Sequence, residues 1–370
     1  MFSTINPWLR TGFAVFAAFL TSYFLTPSVR KFAESIGAVD QPSARRINDH
    51  PVPRMGGIAI FCGFILSVLL FAELSQQVAG ILVGTLVIAL MGAIDDLYNL
   101  NPWIKLICQI AAAAIAIACG VVIDGFTDLV SFTDTVFLSR IPAYLITGLW
   151  IVGCTNAINL IDGLDGLAVG MTTISAFTLF FISLRVSDAN VSIILVCLIG
   201  ACAGFWPFNW NPAKIFMGDV GSQMLGYVLS TVSVIGLFKM HALITMLLPV
   251  LAMAVPLADT AFAIIRRLLN GQSPFHADKG HFHHRLLALG LTQKQAVTVL
   301  YGISIVLGIF AYLMVGSTRL VKIICLTVAF VIVTCIVTFV FRFYPQHSQK
   351  GFGNSELPEE DVKIYRKTKH

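Results

Sequence analysis

Two closely spaced pairs of carboxylates each stand next to an apolar run. Asp95 and Asp96 are adjacent at the end of one run, and Asp162 and Asp165 follow another within NAINLIDGLDGLAVG. Neighbouring carboxylates repel each other unless a cation or a proton sits between them, so these spacings suit a divalent metal. A helix end facing water explains the first pair equally well, and a polar loop with glycine turn chemistry is the alternative for the second.

Two asparagines and a fifth carboxylate extend this polar set. Asn159 and Asn156 precede Asp162 by one and two turns, respectively, and carry hydrogen-bonding groups into the apolar run, which a simple polar loop does not explain. Asp219, in FMGDVGS, stands where a further apolar run begins. A helix starting there tolerates a negative charge and offers N–H groups to phosphate oxygens, although N-capping is the plainer role for this Asp.

The carboxylate and amide oxygens of these segments indicate which metal and which substrate they would bind. Without cysteines or a histidine pair among them, they favour Mg²⁺ or Mn²⁺ over zinc. Because Mg²⁺ commonly bridges one or two carboxylates to substrate phosphates, a phosphoryl-type substrate is the natural complement.

A histidine-rich segment, SPFHADKGHFHHRL, covers residues 273–286. The HFHH spacing is poor for a tetrahedral zinc site, and no cysteine lies nearby. Lys279 and Arg285 are interleaved with the histidines, which predicts recognition of a nucleotide diphosphate; a solvated basic loop is the alternative. Asp259 lies within an apolar run, and its spacing assigns it no role.

Several families of enzyme are disfavoured because their motifs are missing. The sequence contains no GxxxxGK[ST], GxSxG or HExxH, which argues against P-loop, serine-hydrolase and zinc-protease chemistry. No basic domain with interleaved aromatic residues is present, so nucleic acid is not expected as a partner.

The elements that must position these residues are membrane helices. Of the 370 residues, 57% are hydrophobic and 12% are charged, and the apolar residues recur in runs of about twenty, long enough to cross a bilayer. We predict an all-α polytopic membrane protein with about eleven transmembrane helices. Their centres lie near residues 18, 64, 86, 111, 150, 175, 200, 228, 255, 304 and 331. Residues 344–370 form a polar tail.

The distribution of Lys and Arg predicts the orientation, since positive residues favour the cytoplasmic side. All but six of the 24 lie in the loops after the odd-numbered spans or in the C-terminal tail. The exceptions are Arg10, Arg140, Arg185, Lys239, Arg319 and Lys322. This places the N-terminus outside and the C-terminus in the cytoplasm, and the unusual polar segments then all converge on the cytoplasmic face.

Taken together, these segments resemble the bacterial polyprenyl-phosphate N-acetylhexosamine-1-phosphate transferases, the family that includes MraY, WecA and TagO. The resemblance covers essentially all the spans. It rests on PRMGG (53–57), IDD (94–96), NLIDGLDGLA (159–168), FMGDVGS (216–222) and HFHHR (281–285). The PLAD segment and the HxHHR loop fit the WecA/TagO branch better than MraY. Asn99 replaces a lysine common in MraY, so Lys105 is expected to take its phosphate-binding duty.

The resemblance implies transfer of N-acetylglucosamine-1-phosphate from its UDP donor to undecaprenyl phosphate at the cytoplasmic face of the bacterial cytoplasmic membrane. It implies Mg²⁺ or Mn²⁺ as cofactor and a transferase domain over residues 1–343. The catalytic residues would be Asp95, Asp96, Asp162 and Asp165, with Asp219 and Asp96 as metal ligands. Substrate-binding residues would be Asn159, Asn209, Lys105, Lys214, His281, His283, His284 and Arg285.

Other functions remain open at this stage. The same chemistry on UDP-N-acetylmuramoyl-pentapeptide, as in MraY, is the nearest, and a CDP-alcohol phosphotransferase is weaker because its spaced Asp pattern is absent. An ion-coupled transporter would place acids near span centres and repeat an interruption in two halves of the chain. The small residues at 111–120 favour either a homodimer or tight packing within one chain.

Overall fold

The computed structural model describes residues 6–42, 50–127, 135–186, 189–237, 249–269 and 282–342. The polar tail predicted for residues 344–370 lies outside these ranges. The described helices are α1 (Pro7–Ser35), α2 (Gly57–Phe71), α3 (Gln76–Tyr98), α4 (Pro102–Ala118), α5 (Arg140–Ile161), α6 (Leu167–Val186), α7 (Ala189–Asn209), α8 (Gly218–Leu237), α9 (Ala254–Leu269), α10 (Phe282–Ala288), α11 (Gln293–Met314) and α12 (Arg319–Arg342).

The helical prediction agrees with this architecture. Each of the predicted span centres falls inside one of these helices, and α10 is a short additional element. Six of them, α1, α3, α5, α6, α7 and α11, are long and apolar enough to cross a membrane. Large apolar side chains such as Leu149, Phe24 and Ile107 are more than half exposed, as expected of a surface that faces lipid rather than water. The protein is a multi-pass, all-α membrane protein.

Two small antiparallel hairpins interrupt the helices, and the sequence did not predict them. Strands β1 (Val39–Asp40) and β2 (Val52–Pro53) pair before α2. Strands β3 (Gly125–Thr127) and β4 (Thr135–Phe137) pair between α4 and α5. Strands of two or three residues carry too little periodic pattern to be recognised in an apolar sequence.

Helix α8 is the central helix of the bundle, and it packs against α2, α3, α5, α6 and α7. Its close neighbours meet it through glycines. A Cβ added at Gly57 would lie 2.1 Å from the Gly221 nitrogen, and one added at Gly92 would lie 2.6 Å from the Val220 Cα. Small residues at a helix crossing let two backbones approach closely in a membrane. The first turns of α8 are therefore clamped between α2 and α3.

Backbone hydrogen bonds join the PRMGG segment to the residues that precede α8. Gly56 N donates to Phe216 O at 2.9 Å, Gly57 N to Met217 O at 2.8 Å, and Phe216 N to Pro53 O at 2.8 Å. Because these bonds fix the chain just before Asp219, PRMGG and FMGD act as one structural unit although about 160 residues separate them in sequence.

Candidate active site

A cavity of about 300 Å³ opens where α3 and α5 end and α8 begins. The predicted site residues that line it are Asp96, Asn159, Asp162, Asp165, Asn209, Asp219 and His284. These side chains come from five helices and one loop, so the bundle brings together residues that are far apart in sequence. Acids gather at helix ends rather than at helix centres.

Asp219, in the first turn of α8, accepts hydrogen bonds from three side chains. Lys105 Nζ donates to Oδ2 at 2.8 Å, and Gln223 Nε2 donates to the same oxygen at 3.0 Å. Asn159 Nδ2 donates to Oδ1 at 3.2 Å and also to Ser222 Oγ at 2.8 Å. A carboxylate with cationic and amide donors on both oxygens is held in one orientation and favoured in its ionised form.

The adjacent acids at the end of α3 have different partners. Asp96 accepts from the backbone N–H of Asp219 at 3.0 Å and of Val220 at 3.4 Å, so it caps α8 from another helix. Gly218 has φ +68°, and a Cβ there would lie 2.2 Å from Asp96 Oδ2. The FMGD glycine is thus required by both the backbone conformation and the approach of this carboxylate.

Asp95 contacts the turn between α3 and α4. Its Oδ2 accepts from Lys105 Nζ at 2.5 Å, and its Oδ1 accepts from Leu100 N at 2.6 Å. Lys105 therefore bridges Asp95 and Asp219, as the two ion pairs show. Of the two adjacent acids, Asp96 lines the cavity and Asp95 fixes the lysine and the α3–α4 turn.

The DGLDG loop divides its two acids in a similar way. Asp165 Oδ2 accepts from Ala213 N at 3.0 Å and from Asn211 Nδ2 at 2.9 Å, which ties this loop to the segment before α8. Asp162 has no hydrogen-bond donor on its carboxylate among the described residues. Desolvation raises the pKa of Asp162 to about 8, and the negative charges of Asp219 and Asp96 add to the rise.

Two of the predicted substrate-binding residues differ from that prediction in the structure. Asn209 lines the cavity, but its amide is engaged on both sides: Oδ1 accepts from Gly166 N at 3.1 Å, and Nδ2 donates to Ile215 O at 3.0 Å. Lys214 is exposed and is not among the residues that line the cavity. Lys105, by contrast, contacts two of the acids directly.

The histidine segment reaches the cavity through α10. His284 lines the cavity, and Arg285 is buried in the same short helix. His281 and the side chain of His283 lie outside the described residues. Asp259, to which the sequence assigned no role, is 3% exposed and accepts from Phe282 N at 2.8 Å, so it holds the start of α10 against α9.

The cavity also contains an ion pair that the sequence analysis did not single out. Arg54 lies 2.7 Å from Asp40, and both side chains line the cavity. The β1–β2 hairpin brings the two together, since Arg54 directly follows β2 and its N–H donates to Ala38 O. Arg54 belongs to the PRMGG motif, which was the available signal, whereas Asp40 lies in no recognised motif.

Comparisons with known proteins show the family to which the chain belongs. Residues 78–237 match the model of glycosyl transferase family 4. A probable undecaprenyl-phosphate N-acetylglucosaminyl 1-phosphate transferase of Bacillus subtilis is 41% identical over 311 residues, covering 84% of this chain and 86% of the relative. A decaprenyl-phosphate N-acetylglucosaminephosphotransferase of Mycobacterium tuberculosis is 36% identical over 312 residues, covering 77% of each chain.

A phospho-N-acetylmuramoyl-pentapeptide-transferase of Staphylococcus aureus is more distant, at 28% identity over 319 residues, covering 80% of this chain and 95% of the relative. The extent of the first two matches, together with the five motifs around one cavity, decides the classification. The chain belongs to glycosyl transferase family 4, the polyprenyl-phosphate N-acetylhexosamine-1-phosphate transferases, and to their WecA/TagO-like branch.

Proposed function

We propose that the protein transfers N-acetylglucosamine-1-phosphate from UDP-N-acetylglucosamine to undecaprenyl phosphate, releasing UMP. The product would be undecaprenyl-diphosphate-N-acetylglucosamine, which begins a cell-envelope polysaccharide or teichoic acid. The observation that carries the proposal is the single cavity that gathers Asp96, Asp162 and Asp219 with Arg54 and His284 at the end of an apolar helix bundle. A soluble charged donor and a lipid-bound phosphate can meet only at such a boundary.

The reaction is mainly a problem of charge. An oxygen of the lipid phosphate attacks the phosphorus that carries the sugar, and the bond from that phosphorus to the oxygen of the leaving UMP breaks. Both reactants are anions, so stabilising the transition state requires positive groups fixed in place before the reaction. Arg54 lines the cavity and Lys105 donates to Asp219, so two fixed cationic side chains belong to the site, and His284 adds an imidazole to the lining.

The donor set fits Mg²⁺ or Mn²⁺ in type. Asp96, Asp219 and Asn159 offer only oxygen among the groups that could coordinate a metal, and hard cations prefer oxygen. No group of three acidic, histidine or cysteine side chains in the described residues is gathered closely enough to hold an ion by itself. Such a site suits Mg²⁺, which usually binds one or two carboxylates plus substrate phosphates, and Asp219 with Asp96 would supply them. When bound, the ion would neutralise charge on the diphosphate.

The remaining acids take different parts in this proposal. Asp162 has no donor among the described residues and faces the cavity, so we assign it to the lipid phosphate, either orienting it or accepting its proton. Asp95 and Asp165 would act through the segments they hold. A two-step route through an aspartyl-phosphate uses the same cavity, and Asp162 is then the carboxylate whose oxygens are free to attack.

We further propose that about eleven helices span the bacterial cytoplasmic membrane, with the N-terminus outside and the C-terminus in the cytoplasm. The cavity would then open to the cytoplasm, where UDP-sugars are made. Arg54, Lys105, Lys214, Arg285 and Lys294 all belong to the end of the bundle where the cavity opens, in keeping with the positive-inside distribution.

The choice of donor rests on the relatives. Those at 41% and 36% identity are named for N-acetylglucosamine, and the muramoyl-pentapeptide enzyme is at 28%. A transporter is disfavoured because Asp96, Asp162 and Asp219 stand at helix ends around one cavity instead of at mid-span.

The test is UMP release by detergent-purified protein supplied with undecaprenyl phosphate and Mg²⁺. UDP-N-acetylglucosamine and UDP-N-acetylmuramoyl-pentapeptide are offered in parallel, with EDTA and the Asp219→Asn variant as controls. We expect release with the first donor only, and loss of release with EDTA. Release with the second donor alone would show that the protein catalyses the MraY reaction instead. No release from folded protein would refute the proposal.

A further inference from the structure

Three amide side chains lie beneath the cavity, and the proposed reaction does not use them. Gln109 is 2% exposed, Gln223 is fully buried, and Asn156 is half-buried. They come from α4, α8 and α5 respectively. Burying an amide in an apolar bundle is unfavourable unless each of its polar atoms finds a partner, so a cluster of three calls for a physical reason.

The three amides continue the hydrogen-bonding pattern of the cavity one helical turn deeper. Lys105 and Gln109 are four residues apart on α4, and Asp219 and Gln223 are four residues apart on α8. Residues with this spacing lie on the same face of a helix. Lys105 donates to Asp219 at 2.8 Å, and Gln109 Nε2 donates to Gln223 Oε1 at 2.8 Å. The two helices are thus joined by one ionic and one amide contact, stacked one above the other.

The direction of each hydrogen bond in this cluster is fixed. Gln223 Nε2 donates to Asp219 Oδ2, so its Oε1 points the other way and accepts from Gln109. Gln109 Oε1 in turn accepts from Asn156 Nδ2 at 2.7 Å, and the same Nδ2 donates to Val152 O at 2.8 Å. Because Val152 O can only accept, Asn156 Nδ2 is the donor, and donation runs from Asn156 through Gln109 and Gln223 to Asp219. Gln109 Nε2 also donates back to Asn156 Oδ1 at 3.3 Å.

We propose that Gln223, oriented by Gln109 and Asn156, is a positioning residue that holds the Asp219 carboxylate in the geometry needed for the cation and the diphosphate. This inference rests on the proposed function and deepens it. A ligating carboxylate needs partners that fix its rotamer, and loss of such partners typically lowers metal affinity or activity about 10- to 100-fold. Asn159 donates to Oδ1 of Asp219, so without Gln223 the other oxygen, Oδ2, would have Lys105 as its donor. Lys105 also donates to Asp95.

Stability alone is the competing explanation, and a pair of variants separates the two. Gln223→Met leaves Gln109 with an unpaired donor, so it is expected to lower both stability and activity. The double variant Gln109→Met/Gln223→Met removes both partners of one hydrogen bond and replaces them with side chains of similar size, which restores apolar packing. Gln77→Met is the matched control, because Gln77 donates to Gly120 O at 2.7 Å at the other end of α3.

Three quantities are measured on each detergent-purified variant: the melting temperature, Mn²⁺ affinity by electron paramagnetic resonance in the presence of UDP-N-acetylglucosamine, and kcat and KM from UMP release. We expect the double variant to melt close to the wild type, with kcat about 10- to 100-fold lower and weaker Mn²⁺ binding. The KM for undecaprenyl phosphate should stay within about twofold, and the Gln77→Met variant should match the wild type in all three.

The inference is overturned if the double variant keeps wild-type kcat and Mn²⁺ affinity, or if its losses only follow the folded fraction. Gln223→Glu gives an independent test with unchanged shape: it sets a second carboxylate against Asp219, and wild-type kcat in this variant would also refute the role. A wild type that binds Mn²⁺ but releases no UMP would refute the proposed function. The Mn²⁺ affinities of the wild type and the Gln223 variants would still test the role of Gln223. A wild type that binds no Mn²⁺ would refute the inference itself.

Discussion

The two acidic segments of the cavity look alike in sequence but are used differently in the fold. At the end of α3, both acids have donors: Asp96 caps α8 through two backbone N–H groups, and Asp95 holds Lys105. In the loop after α5, Asp165 has two donors, whereas Asp162 has none among the described residues. The comparison teaches that acids with similar spacing can have different partners: of these four acids, only Asp162 has no donor among the described residues.

Asp96 and Asp165 share one structural task. Asp96 and Asp165 each accept backbone N–H bonds from the chain segment around the start of α8, at Asp219 and Val220 in one case and Ala213 in the other. Charge-assisted bonds of this kind are roughly twice as strong as neutral ones. The segment that presents Asp219 is therefore held from two directions by carboxylates.

The largest effect is expected for Asp219→Asn, because both acidic segments serve to place this carboxylate. The substitution keeps the shape but removes the charge that Lys105 pairs with. We expect UMP release to fall by about 10³-fold or more, since preorganised charge is the main contribution to such reactions. The melting temperature should remain near that of the wild type. Activity within tenfold of wild type would show that the metal and diphosphate do not depend on Asp219.

The comparison between Asp162 and Asp165 predicts opposite outcomes for one type of substitution. Asp162→Ala breaks no hydrogen bond to a described residue, so we expect UMP release to fall about 10²-fold or more with stability retained. Asp165→Ala leaves Ala213 N without its acceptor, so we expect a loss of about 1–3 kcal/mol in the free energy of unfolding. UMP release per folded molecule should then stay within about tenfold.

Thermal unfolding in detergent and UMP release, measured on the same preparations, check this pair. If Asp165→Ala unfolds at the wild-type temperature but is inactive, Asp165 is a catalytic residue, as its place in DGLDG suggested. If Asp162→Ala is fully active, the lack of a hydrogen-bond donor on Asp162 does not mark it as the acid of this loop that acts on the substrate.

A smaller effect is expected at Asp259, which resembles Asp96 and Asp165 in accepting a backbone N–H. Asp259→Ala removes the bond to Phe282 N, while the contact between the Phe262 and Phe282 rings remains. We expect the KM for UDP-N-acetylglucosamine to rise about tenfold, equivalent to about 1.4 kcal/mol, with a smaller change in kcat. Steady-state kinetics with saturating undecaprenyl phosphate measure this split.

The neighbouring Thr260→Val variant is the matched control for Asp259. The hydroxyl of Thr260 is buried and has no hydrogen-bond partner among the described residues. Its replacement should leave the KM unchanged. An equal rise in KM for both variants would mean that α9 responds to any substitution, and the specific contact to α10 would lose its support.

The sequence predicted the helices and the collection of motifs at one end of the bundle, because long apolar periodic runs and glycine-rich polar breaks are local signals. It did not predict the partners within the cavity. The ion pair between Asp40 and Arg54 depends on a hairpin whose two strands are each two residues long. The contact between Gln109 and Gln223 joins two residues that are 114 positions apart in sequence. Such contacts are set by how helices pack, which no single segment encodes.

The smallest effect is expected for Lys214, which the sequence grouped with Lys105 as a substrate-binding residue. Lys105 contacts both Asp95 and Asp219, whereas Lys214 is exposed and does not line the cavity. Because an exposed lysine is screened by solvent and salt, Lys214→Gln should change the KM for UDP-N-acetylglucosamine by less than about twofold. The Lys105→Gln variant, measured beside it, should lose UMP release because two carboxylates then face each other without a cation. A tenfold rise in KM for Lys214→Gln would mean that the donor extends beyond the cavity to this lysine, and that contact with the acids is too narrow a criterion for the site.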